Sequence, residues 1–353
     1  MELYRFSEIV GQTRAIGILS GSMGRERIPH AYLFTGMPGV GKTSAAKAFA
    51  FVLNCDSPKG MDACGSCRSC RKMASGNYPD YREISPEKGV IKIETIREVT
   101  REFQYAPLEG RYRFTVIREG DKMTVEAANA FLKTLEEPPN GNILVVTATE
   151  PLDLLPTVVS RCQRVPFIPI AKKDIEQWLQ TKRLGANDME RSAVARFSKG
   201  SIGQAKRIIE SQFMEKRIRW IEHAERLPAL GYGELLDIAR DCADQDKKQL
   251  LDSEEGGESA LVDLLGVWAT WFRDLLVFKT TGQEDMLMNP DLMARLKACS
   301  GSFTAEGLID IIYLLHQAER DLRKNRSSIL MAQHIALYLK DRADLKENKS
   351  YVG

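Results

Sequence analysis

The apolar positions in the first half of the chain fall into short, β-favouring runs separated by helix-like stretches. Ala31–Thr35, Tyr81–Ile84, Arg113–Ile117, Ile143–Thr147 and Gln163–Phe167 each read as a strand. Strands alternating with helices predict a parallel sheet covered by helices over residues 1–170. "VPFIPI", ending at Ile170, is broken by proline and closes this region. From Lys172 onward the pattern changes to helical spacing with no convincing strand. "KKDIEQWLQTKR", "DMERSAVARFSKG" and "SIGQAKRIIESQFMEKRIRWIEHAERL" read as successive helices, with Gly200 a natural cap between two of them. "DSEEGGES" reads as a loop. Beyond it, Leu261, Leu264, Leu265, Trp268, Phe272 and Leu275 recur at helical spacing, the stripe of a bundle core. A last helix pair lies around "AEGLIDIIYLLHQAERDLRKN" and "SSILMAQHIALYLK".

Composition adds only bounds. At 353 residues the chain predicts two or three domains. A net charge of +2, with 28% charged and 43% hydrophobic residues, is an ordinary globular balance and makes any basic surface local. The basic run "RDLRKNR" is a solvated helix face by default and does not by itself call for DNA. The first residues, "MELYRFSEIVGQ", have no basic start and no apolar core, and no segment is apolar enough for a membrane span. The expected location is therefore cytoplasmic.

Candidate chemistry begins directly after the first strand. Gly36, Gly39, Gly41, Lys42 and Thr43 make G-x-x-x-x-G-K-T, opening an Ala-rich helix. Such a loop turns backbone N–H groups onto phosphate oxygens, including those of Val40 and Ser44, and the helix N-terminus adds partial positive charge. Lys42 would reach the outer phosphates of ATP or ADP, and the Thr43 hydroxyl would ligate magnesium. After that helix come Cys55, Cys64, Cys67 and Cys70, spaced C-x8-C-x2-C-x2-C. Four thiolates on a short loop can close a tetrahedron around structural zinc, with an iron–sulfur cluster or unliganded thiols as the alternatives. Cys162, Cys242 and Cys299 are isolated and read as packing residues.

Taken together, "IPHAYLFTG", the P-loop, the four-cysteine module, "NAFLKTLEEPP" and "SRC" resemble the bacterial DNA polymerase III clamp loader, a machine of the AAA+ family. The resemblance implies an AAA+ P-loop domain over 1–170 with zinc at 55–70, a helical lid over 171–208 and an all-helical collar over 209–353. It also implies partners: the gamma/tau ATPase subunits, a delta subunit, the sliding clamp and, through the complex, primed DNA. Two branches share the motifs, gamma/tau and delta prime. In the ATPase branch an Asp-Glu pair follows the third strand, to hold magnesium and polarise water; here Arg118 and Glu119 take those places. Asp121 lies further along, on the following turn. The lid arginine of an active member is replaced by Gly203, with Arg207 one turn later. Both departures, and the length, resemble delta prime better than gamma/tau and make magnesium doubtful. The expectation is little intrinsic ATPase in a subunit of the polymerase holoenzyme, with a competent ATPase subunit or a nucleotide-stabilised scaffold as alternatives. In this family the Arg161 of "SRC" is offered in trans to a neighbour's nucleotide as an arginine finger, and Thr147 or Thr149, after the fourth strand, fills the sensor place.

Overall fold

The computed structural model describes residues 4–24, 28–136, 140–211, 213–226, 260–284 and 286–322, with scattered positions between 231 and 241. Cys242, the loop "DSEEGGES", the helix "SSILMAQHIALYLK" and most of "RDLRKNR" lie outside the described residues, as do 137–139 of "NAFLKTLEEPP". The chain divides into two compact units, Met1–Arg207 and Ile208–Gly353.

The first unit is built on five parallel strands, β1 (Ala31–Thr35), β2 (Tyr81–Ile84), β3 (Arg113–Ile117), β4 (Asn142–Ala148) and β5 (Gln163–Pro166), in the order β2-β3-β4-β1-β5. Strand alternation sends residues to two helical layers. Tyr32, Phe34, Phe114, Val116, Ile143 and Val145 pack beneath α1 (Thr13–Met23) and α2 (Lys42–Leu53). Leu33, Ile117, Leu144 and Val146 face the other way, under α4 (Ile93–Glu102) and α5 (Val125–Glu136). Sheets buried on both faces read as nearly continuous apolar runs, which is why β4 shows no polar alternation. Phe49 of α2 meets Tyr32 and Phe114 edge-on at 5.3 and 5.6 Å, locking the P-loop helix onto the sheet centre. A short helix, α3 (Arg68–Ala74), carries the last cysteine, and α6 (Pro156–Val159) precedes β5.

Helices α7 (Lys172–Thr181), α8 (Asp188–Phe197) and α9 (Ile202–Glu210) follow the sheet. Asn187 caps α8, its side chain accepting the Glu190 N–H at 2.8 Å. The single helix expected over 201–227 is instead two, α9 and α10 (Phe213–Arg226), broken around Ser211. The apolar residues Ile202, Ile208 and Phe213 do not share one 3.6-residue stripe across that break, and serine there offers its hydroxyl to the Ile208 carbonyl. No strand follows β5 among the described residues.

The second unit contains α10, α11 (Ala260–Thr281), α12 (Met293–Cys299) and α13 (Ala305–Leu322). Leu261, Leu264, Leu265, Trp268, Phe272 and Leu275 of α11 are all buried, the core stripe expected from their spacing. Trp268 donates its indole N–H to the Trp220 carbonyl at 2.7 Å. Among the described residues no single helix is long and apolar enough to cross a membrane.

Candidate functional site

The loop between β1 and α2 forms a cradle. The Gly36 N–H donates to the Ala148 and Thr149 carbonyls at 3.3 and 3.0 Å, fastening the loop to the end of β4. Gly41 opens α2 from the left-handed region (φ 103°), a conformation that favours glycine, and leaves the first-turn N–H groups of Lys42, Thr43 and Ser44 outside the helical ladder. Val40 is buried beneath them. Lys42 folds back on its own loop, donating to the Gly36 carbonyl and, at 3.0 Å, to the Met37 carbonyl. Burial lowers Lys42 to about 8, while the charges of Asp121 and then Glu119 act in the opposite direction. An anion in the cradle would favour the charged ammonium in the same way.

The end of β3 supplies the groups that face this loop. Arg118 continues the ladder, its N–H donating to the Ile84 carbonyl at 2.8 Å. Beside it, Glu83 accepts from the Tyr81 hydroxyl at 2.6 Å and pairs with Lys47 of α2 at 2.9 Å. Burial and the Glu83 charge push the Tyr81 phenol up, and the Arg118 charge acts in the opposite direction. Glu119 sits at φ 51° and donates its N–H to the Thr147 hydroxyl at 3.1 Å. Thr147 is buried inside β4, which extends to Ala148, one residue beyond the expected end; only Thr149 follows the strand. The two candidates divide the contacts. Thr147 holds the backbone of Glu119, and the Thr149 carbonyl holds Gly36. Asp121, on the 3-10 turn Gly120–Lys122, acts on Lys42 more strongly than Glu119 does. This is the turn after β3 on which the sequence places it.

The N-terminus of α9 rests on the crest of the cradle. The Gly203 N–H donates to the Gly39 carbonyl at 2.9 Å, and the Ser201 hydroxyl donates to the Pro38 carbonyl at 2.9 Å. A Cβ on Gly203 would stand 2.8 Å from the Gly39 Cα, and a Cβ on Gly39 would stand 2.3 Å from the Ser201 Oγ. Gly203 is thus a point of backbone contact where no side chain fits. Arg207, one turn on, donates from Nε to the Gln204 side chain at 3.1 Å. Gln12, which motif reading missed, is buried and joins the cradle to the sheet. It donates to the Ile168 and Val40 carbonyls at 2.7 and 3.3 Å and accepts from the Ile168 N–H at 3.1 Å. A buried glutamine with no acidic or glycine-rich context gives no signal in a sequence; only its three hydrogen bonds reveal it.

Arg161 lies away from this cradle's loop, between α6 and β5. Its Nη1 donates to the Thr157 carbonyl at 2.9 Å and its Nη2 to Glu136 at 2.6 Å, with about a third of the side chain exposed. The four cysteines do converge: their sulfurs all lie within 4.8 Å of one another, with Cys64 and Cys70 4.0 Å apart. A tetrahedron of zinc–sulfur bonds near 2.3 Å has edges of about 3.8 Å, so the cluster has the right size. Backbone N–H groups of Cys64, Ser66, Cys67 and Cys70 donate to cysteine sulfurs at 3.2 to 3.4 Å, the polarity that thiolates require. Hydrogen bonds from Ser66 and Cys67 pull the Cys64 thiol down to about 6, whereas burial pushes Cys55 and Cys70 up. Cys162 is buried in the core and Cys299 half-buried, as packing residues should be.

Comparison with known proteins supplies the family. The sequence model described as "DNA polymerase III, delta subunit" matches residues 11–171. DNA polymerase III subunit delta' of Bacillus subtilis (strain 168) is 30% identical over 334 residues, covering 94% of this chain and 96% of that protein. This chain belongs to the DNA polymerase III clamp-loader subunits. A second member of that clamp-loader family, subunit tau of the same organism, is 28% identical over 331 residues; the match covers 90% of this chain but 58% of tau. Among solved structures, a gamma subunit-related protein of Thermotoga maritima aligns with a TM-score of 0.47 at 20% identity, over 94% of this chain and 99% of that one. The clamp-loader match over 11–171 encloses the cradle, the cysteine cluster, Arg118 and Arg161 together.

Proposed function

We propose that this chain is a delta prime-type clamp-loader subunit that holds nucleotide weakly or not at all productively and contributes Arg161 to hydrolysis at a neighbouring ATPase subunit. Its partners would be gamma/tau and delta subunits, and through them the sliding clamp and primed DNA. The observation that carries the reading is Arg118 directly after β3. A guanidinium there opposes a divalent cation electrostatically, where an ATPase would need a carboxylate. Gly203 supports it: with the lid backbone against Gly39, the place of the lid arginine has no room for a side chain. Arg161, half-buried between α6 and β5, offers the planar permanent charge that stabilises a transferring phosphoryl group. The cysteine cluster would hold one structural zinc, closed to water by its four sulfurs.

A second reading, a competent ATPase subunit, draws on Asp121 and Glu119, whose charges both act on Lys42. ATP turnover separates the two. The isolated chain should hydrolyse ATP at background level with or without magnesium; vigorous, magnesium-dependent turnover would overturn the first reading. In the assembled complex, Arg161→Ala should slow hydrolysis by about a thousandfold per affected site while assembly, followed by gel filtration, is retained.

A further inference from the structure

The contact between Glu136 and Arg161 is the one charged link between the two elements it joins among the described residues. Glu136 is the last residue of α5, and Arg161 follows α6. The carboxylate accepts from Nη2 at 2.6 Å, while Nη1 donates to the Thr157 carbonyl at 2.9 Å and to the Ser160 hydroxyl at 3.4 Å. The two terminal nitrogens are therefore held by acceptors on different helices, which fixes the plane of the guanidinium. The Nε–H has no acceptor among the described residues and remains available to a phosphate oxygen.

Glu136 does little for its own helix. A carboxylate at a helix C-terminus faces the negative end of the dipole, so this position is locally unfavourable for glutamate. Half of the Glu136 side chain is exposed and no other partner of its carboxylate occurs among the described residues.

We propose that Glu136 is the positioning residue of Arg161, holding the guanidinium plane so that its remaining donors meet a neighbour's phosphate. The inference rests on the arginine-finger reading of Arg161. Surface ion pairs stabilise folds little, so the effect belongs to turnover and not to folding. Long side chains such as arginine lose orientation when one of two anchors is removed, and small misplacements of a catalytic group cost rate.

The test uses the assembled clamp-loader complex and its ATP turnover as a function of ATP concentration. Glu136→Ala should lower kcat about three- to tenfold at unchanged KM, well short of the loss from removing the finger itself. Glu136→Gln, which keeps an oxygen acceptor at the same place, should recover most of that loss. The thermal midpoint of the isolated Glu136→Ala chain should match the parent. On an Arg161→Ala background, Glu136→Ala should change nothing further. Turnover of Glu136→Ala at or above the parental rate, or a loss that persists without Arg161, overturns the positioning role. If Arg161→Ala itself runs at the parental rate, the finger reading is removed and this inference with it; if Arg161→Ala is slow while Glu136→Ala is not, only the positioning role falls.

Discussion

At the scale of single residues, the two positions on which the proposed function rests have different physical characters. Arg118 puts a positive charge directly after β3 and leaves the backbone intact: its N–H still continues the sheet ladder to Ile84. Gly203 changes geometry, because its lack of a side chain lets α9 touch the loop, with the Gly203 N–H on the Gly39 carbonyl at 2.9 Å. Gly203→Ala tests the contact. Alanine inside a helix is ordinarily worth about 1 kcal/mol over glycine. Here its Cβ would lie 2.8 Å from the Gly39 Cα, and overpacking against backbone costs about 1–3 kcal/mol in addition to the strained hydrogen bond. The net expectation is a chain destabilised by about 1–2 kcal/mol in denaturant titration; a more stable variant would show that α9 does not rest on the loop.

At the scale of elements, the cysteine module is tied to the sheet by a chain of polar contacts. Asp80, fully buried before β2, accepts the N–H groups of Leu108, Glu109 and Gly110 at 2.7, 2.7 and 2.8 Å. Glu109, shaped by that nest, pairs with Lys72 of α3 at 2.6 Å. Asn54 at the end of α2 accepts the Tyr112 N–H at 2.9 Å. A metal that orders the cysteine loop therefore also supports the turn leading into β3. Metal analysis should find about one zinc per chain, as one four-sulfur site implies. Cys64→Ser should abolish it and lower stability by about 4 kcal/mol when free zinc exceeds the dissociation constant a thousandfold, read as a fall in Tm against the parent. Bound iron with a visible chromophore, or a metal-free protein of unchanged Tm, would contradict this.

Across the whole molecule, the two compact units are held by different means. The first is a sheet buried on both faces. The second has an unusual polar centre: Arg217, 1% exposed, donates to Asn289 at 3.1 and 2.6 Å and to Asp291 at 2.7 and 2.9 Å. Fully buried Asp274 in turn accepts from the Met288 and Asn289 N–H groups and the Asn289 side chain, and burial still pushes its carboxyl up. Removing one partner of a buried charged pair is strongly destabilising, so Arg217→Ala should cost about 3–5 kcal/mol. Two units with separate cores need not unfold together. Calorimetry should accordingly show the loss in one transition, with the cradle-bearing unit unchanged.

What the sequence determined by itself was the local chemistry and the element types. The P-loop, the cysteine spacing, the five strands and the α11 stripe are each carried by residues adjacent in the chain or repeated at a fixed period. What only the tertiary structure decided was which distant groups meet. Gln12 with Ile168, Gly39 with Gly203, Glu136 with Arg161 and Arg217 with Asn289 are separated by loops and whole elements. No period or motif encodes such pairs. They follow from strand order and helix packing, where burial and geometry choose the partner of each polar group.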